Sequence, residues 1–142
     1  MYLNSYNASA GKSAMEYYTK GLELSVEANN QGQIYYHAIN LAFLSVVMDS
    51  NESAMNDYAG LAVEKAEAAR DSLWKFATLG EAFMYLGDME KSKEYYSKAA
   101  DLAEIREKLS MYTNANAGYT ALTGISKADD DFLLFLKNKF LT

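Results

Sequence analysis

The chain has 142 residues, 50% of them hydrophobic and 23% charged, with 19 acidic against 13 Lys and Arg side chains and a net charge of −6. That balance argues against a nucleic-acid binder, which needs a basic face to displace counterions from phosphate, and against docking on anionic membrane. The absence of cysteine removes disulfides, thiolate metal sites and cysteine nucleophiles, and the absence of proline leaves long helices uninterrupted.

Seven helices are expected in chain order. Met1 to Ser5 lacks the basic start and apolar core of a secretory signal, so a cytoplasmic location is expected. The first helix runs from about Ser13 to Ala28, with capping-box spacing between Ser13 and Glu16, and ends in Asn29-Asn30-Gln31-Gly32, where Gly32 can turn left-handed. The second runs from about Gln33 to Met48. Its apolar run, Ala38 to Met48, is broken by Asn40 and Ser45 and is shorter than the roughly 20 residues that span a bilayer. The third runs from about Glu52 to Arg70. The fourth follows Asp71 as N-cap and stops at Gly87, and the fifth follows Asp88 and reaches about Glu104. The sixth runs from about Arg106 to Leu122. The seventh starts after Ser126, which has capping-box spacing to Asp129, and its acidic first turn and basic last turn suit the helix dipole. Short loops fold each helix back on its neighbour.

Part of this pattern is written three times. Ser13-Ala14-Met15, Tyr18 and Glu27-Ala28 return as Ser53-Ala54-Met55, Tyr58 and Glu67-Ala68, an offset of 40 residues. Glu16-Tyr17-Tyr18-Thr19-Lys20-Gly21 is echoed by Glu94-Tyr95-Tyr96-Ser97-Lys98-Ala99. A period of roughly 20–50 residues marks a stacked array of supersecondary units. Tyr18, Tyr58 and Tyr96 are expected at equivalent, largely buried positions.

The segment Phe76 to Ala99 resembles a tetratricopeptide repeat. Leu79, Gly80 and Phe83 fill the signature places of its first helix, Gly87 the turn, and Ser92, Tyr96 and Ala99 those of its second. The spacing drifts as 40, 38 and 36 residues against a family period of about 34, and the usual inter-repeat proline is missing. The resemblance implies an all-α fold, a right-handed array of antiparallel helix pairs. It divides the single domain 1–142 into a half repeat 1–32 and repeats of about 33–70, 71–105 and 106–142. Two strings are also similar to the TRAFs-binding domain of apoptosis signal-regulating kinases and to related bacterial proteins. They are Tyr35-Tyr36-His37-Ala38-Ile39-Asn40-Leu41-Ala42 and Trp74-Lys75-Phe76-Ala77-Thr78-Leu79-Gly80-Glu81-Ala82. That likeness implies a signalling scaffold and carries no kinase activity.

In this register the leading helix of each pair lines the concave face. The second helix brings Tyr36, Ile39, Phe43, Val46 and Val47, the fourth Trp74, Ala77, Glu81, Met84 and Tyr85, and the sixth Ser110, Thr113, Ala117, Thr120 and Ala121. Tyr36, Trp74, Glu81 and Tyr85 have polar tips and are expected to be partly exposed, whereas Ile39, Phe43 and Val46 can serve either floor or core. Asn40 is read as a satisfied core amide that can also clamp a peptide backbone. The partner-binding set is thus Tyr36, Asn40, Trp74, Glu81 and Tyr85.

No enzyme is expected. His37, the lone histidine, has no visible co-ligands and is expected to be hydrogen-bonded between helices. Asp129-Asp130-Asp131, Glu64 and Glu67 fall at helix starts and on polar faces. Gly11-Lys12-Ser13 resembles the tail of a phosphate loop, but Tyr6 stands where its first glycine belongs and no strand precedes it. No catalytic residue, metal or cofactor follows. The expected function is a non-catalytic protein- or peptide-binding scaffold in signalling or assembly. The rival reading is a sensor that takes a small ligand or peptide in the concave pocket. Apolar residues of the terminal helices (Met15, Tyr18, Leu22 and Val26 at the front, Phe132 to Leu136, Phe140 and Leu141 at the back) suggest a homodimer, unless Met1 to Tyr6 folds over the first helix.

Overall fold

The computed structural model describes residues 5–142. It is 82% helical, with no strand among the described residues. The helices are α1 (Ser5–Glu27), α2 (Gln31–Asp49), α3 (Glu52–Glu67), α4 (Leu73–Tyr85), α5 (Met89–Leu102), α6 (Ile105–Thr123) and α7 (Asp131–Phe140).

Side-chain caps set most of the starts. Asn30, Asn51, Ser72 and Asp88 each accept a hydrogen bond from the backbone N–H three residues on, and Asp130 accepts from Phe132 and Leu133. Each satisfies a donor that the helix itself leaves free. Several expected boundaries are corrected. Ser13 lies inside α1, which begins at Ser5, because nothing in that polar and alanine-containing run breaks a helix. Ser5 and Tyr6 are therefore in the helix rather than folded over it, and Met1 to Asn4 lie outside the described residues. The turn after α1 is left-handed at Asn29 (φ 52°), and Gly32 is already in α2. Asn tolerates this conformation better than most side chains. Ser72, not Asp71, caps α4, because the Asp71 carboxylate pairs with Lys75 at 3.1 Å. Asp130, not Ser126, caps α7.

The helices pack in pairs, α2 with α3, α4 with α5 and α6 with α7, and α1 lies on α2. The leading helices α2, α4 and α6 also touch one another, and α2 reaches α6 directly. The array therefore curves tightly enough for its inner helices to share a core. Ile39 and Val46 of α2 join it with Met84 and Tyr85 of α4, so the far part of the expected concave floor is interior. Ala59, Ala62, Ala82 and Ala99 are fully buried and allow close helix approach.

One junction shows why the repeat needs its small residues. Ser92 Oγ donates to the carbonyl oxygen of Gly80 at 2.7 Å, tying α5 to α4. The ring of Tyr96 fills the space above Gly80, where an added Cβ would lie 2.7 Å from its Cγ. Phe140 of α7 meets the same ring edge-on, so Tyr96 is fully buried. The expected equivalence fails for the other two tyrosines, which are half-buried. Tyr18 belongs to α1, whose packing partner is α2, and among the described residues no further helix covers it as α7 covers Tyr96.

Candidate functional site

A pocket of about 580 Å³ opens between the first halves of α2 and α4 and the middle of α6. Asn30 and Ser72 fix where α2 and α4 begin, and so fix which side chains face the opening. α2 supplies Gln33, Tyr35, Tyr36, Ile39 and Asn40, and α4 supplies Trp74, Ala77, Thr78 and Glu81. Ser110, Met111 and Asn114 of α6 close the third side, and Tyr96 of α5 reaches in from behind.

The rim is aromatic. Trp74, in the first turn of α4, is 58% exposed, and Tyr36 is 45% exposed. Asn40 donates from Nδ2 to the Tyr36 carbonyl oxygen at 2.8 Å, which orients its amide beside the opening. The floor carries one carboxyl group. Burial pushes Glu81 up to about 7, partly offset by a hydrogen bond donated by the Tyr85 hydroxyl one turn on. The phenols of Tyr85 and Tyr96 are held well above the usual tyrosine range by burial and by the negative charge of Glu81. Both stay neutral donors across the physiological range. Tyr85 is seated against Gly118 of α6, where a Cβ would lie 2.7 Å from its hydroxyl oxygen.

Of the five expected site residues, Tyr36, Asn40, Trp74 and Glu81 line this one pocket. Tyr85 does not. It is buried, contrary to the partial exposure expected, because its polar tip finds Glu81 inside the protein rather than solvent. On α6, Ser110 lies in the wall as expected, but Met111 and Asn114 stand beside it in place of Thr113. The motif alignment does not fix the rotation of α6. Tyr96 was legible only as a packing aromatic, and its reach to the pocket was not.

His37 is buried among Tyr17, Tyr18 and Tyr36 and fills the space left by Gly21. Among the described residues its Nδ1 has no hydrogen-bond partner, so this nitrogen does not make the interhelical bond expected of His37, and burial lowers its pKa. No group of three His, Asp or Glu side chains suited to a metal ion occurs among the described residues. Lys12 and Ser13 lie on a continuous helix, so the phosphate-loop tail has no loop. Asp130 is spent on capping α7, and Asp131 pairs with Lys93.

The sequence profile of the tetratricopeptide repeat family matches residues 76–106, which include all of α5 and the Gly80–Tyr96 junction. No curated protein and no solved structure matches the chain. The profile match supports a tetratricopeptide-like helical repeat protein, and the paired-helix array is consistent with it. Repeats of this kind generally mediate contacts between proteins and are typically non-catalytic.

Proposed function

We propose that the protein is a non-catalytic scaffold that holds a protein or peptide partner at the pocket walled by α2, α4 and α6. The carrying observation is the rim. Trp74 and Tyr36 expose large apolar surface around a concavity, at positions that neighbouring helices do not cover. Exposed aromatics of this type are the commonest anchors of interfaces. Tyr36, Asn40, Trp74 and Glu81 would contact the partner, and Tyr85 would position Glu81. The likeness of the α2 and α4 strings to the TRAFs-binding domain supports a signalling or assembly setting. In the repeat division proposed, α2 and α4 lead the repeats of about 33–70 and 71–105 and α6 leads the last, so three successive leading helices wall the pocket.

Selection of a displayed peptide library on the immobilised protein tests this reading. Peptides retained by the wild type and lost with Trp74→Ala support it. A library that yields only peptides indifferent to Trp74 contradicts it.

A second reading has its own support. Because α2 reaches α6, the pocket is walled on three sides, as a small-ligand sensor requires. Such a ligand would change the α2–α6 approach, and small-angle scattering with and without it would register the change. Self-association is a separate proposal. Leu134 and Leu141 on the α7 side, and Leu24 and Val26 on α1, are exposed and apolar. A cytoplasmic location is part of this proposal, and fractionation of the source cells tests it.

A further inference from the structure

Among the described residues, the pocket combines four aromatic side chains and one carboxyl group with no basic residue. Tyr35, Tyr36, Trp74 and Tyr96 supply the rings, and among the described residues Glu81 is the only charged one in the lining, with no Lys, Arg or His beside it. The chain around it carries a net charge of −6, which draws cations toward it. A partner must offer something to Glu81 when it covers the opening. An apolar group would seal a carboxylate against one phenolic donor, and an acidic group would be repelled. A cation meets the carboxylate and the negative ring faces together, which is the geometry aromatic sites use for ammonium and guanidinium groups.

We propose that the pocket takes a basic side chain of the partner, lysine or arginine, with its charge at Glu81 and its alkyl stem along Tyr36 and Trp74. This rests on the reading of the pocket as the partner site. The volume, about 580 Å³, exceeds what one side chain fills and leaves room for flanking backbone beside Asn40 and Asn114.

The proposal carries a pH signature. Tyr85 of α4 and Tyr96 of α5 are the titratable groups coupled to Glu81; α2 faces the pocket with the phenols of Tyr35 and Tyr36, α6 with Ser110 and Asn114, and among the described residues α3 contributes none to the lining. With Glu81 at about 7, the carboxylate that the cation needs is mostly formed at pH 8 and mostly protonated at pH 6. Affinity should therefore weaken about tenfold between those values.

The test uses synthetic peptides from a random-heptapeptide display selection at pH 8, with binding followed by calorimetry. The expected result is enrichment of Lys or Arg at one position. Replacing that residue by norleucine or citrulline should weaken binding at least about tenfold, the scale of a desolvated cation contact. Glu81→Gln should bind the basic and neutral peptides alike and lose the change between pH 8 and pH 6. Circular dichroism checks that this variant is folded, and Trp74→Ala, altered at an exposed site, gives an independent second variant that should also weaken the basic peptide. Trp74-dependent peptides without a basic preference, or a basic preference that survives in Glu81→Gln, overturn this inference and leave the scaffold reading standing. Failure to select any Trp74-dependent peptide overturns both. N-acetyl-lysine amide or choline binding as tightly as the peptides would assign the pocket to a free cation and overturn the side-chain proposal.

Discussion

Replacing Glu81 by Gln should stabilise the fold at alkaline pH and do little at acid pH. The carboxyl group is raised by burial from 4.5 to about 7, so the folded state binds its proton more tightly than the unfolded state does. The stabilisation is fully present below about 4.5, declines as pH rises through the folded value of about 7, and is absent above it. Integrated between pH 8 and pH 5, this shift corresponds to about 2–3 kcal/mol. Gln keeps a carbonyl oxygen for the Tyr85 hydroxyl and never ionises, so the variant lacks this pH dependence. His37 works in the opposite direction. Its lowered folded pKa gives stability that is present above 6.5 and lost as pH falls through the folded value. Since His37 is common to both proteins, the difference between variant and wild type isolates Glu81. Urea unfolding of both at pH 5, 6, 7 and 8, read by circular dichroism, measures that difference. The variant should gain on the wild type by about 2–3 kcal/mol across the series. A constant difference at all four values would mean that Glu81 is not held at a raised pKa, and the description of the pocket floor would be wrong.

Other expectations follow from packing. Gly80→Ala places a Cβ 2.7 Å from Tyr96 Cγ and should destabilise by about 1–3 kcal/mol in thermal melts, because both partners are buried and cannot yield. Tyr96→Ala should cost about 3–5 kcal/mol and Tyr58→Ala clearly less, since only the first is fully enclosed; equal losses would refute that distinction. If the terminal faces pair two copies, light scattering at micromolar concentration should show a dimer that Leu134→Glu or Leu141→Glu dissociates. A monomer unaffected by both changes would remove that proposal.

The fold was legible in the sequence because its signals are local and repeated. The Gly80, Ser92 and Tyr96 spacing is a packing rule, and the structure meets it with one buried hydrogen bond and one filled gap. Gly87 and Gly124 mark turns that need positive φ, and Asp88 caps α5. Boundaries were less legible where several cap-forming residues stand together, as in Asn29 to Gly32, Asp71-Ser72 and Ser126 to Asp131. There the choice depends on a competing partner, such as Lys75 for Asp71, which spacing does not reveal. The pocket was readable on α2 and α4, where Tyr36, Asn40, Trp74 and Glu81 follow helical spacing. It was less readable on α6, whose rotation is set by how tightly the array curves. Tyr85 turns inward where α6 presents Gly118, which leaves room for its ring, and its hydroxyl donates to Glu81 one turn back within α4.

The chain contains a single tryptophan, and it stands on the pocket rim. Trp74 emission therefore reports directly on whether a partner enters there. Titration of the protein with a selected peptide should shift this emission to the blue as the ring leaves water. Trp74→Ala should weaken binding more than about thirtyfold, the scale of an interface anchor, with an unchanged melting temperature. A peptide that saturates the protein without moving the emission, and binds Trp74→Ala equally well, would place the partner surface elsewhere on the molecule.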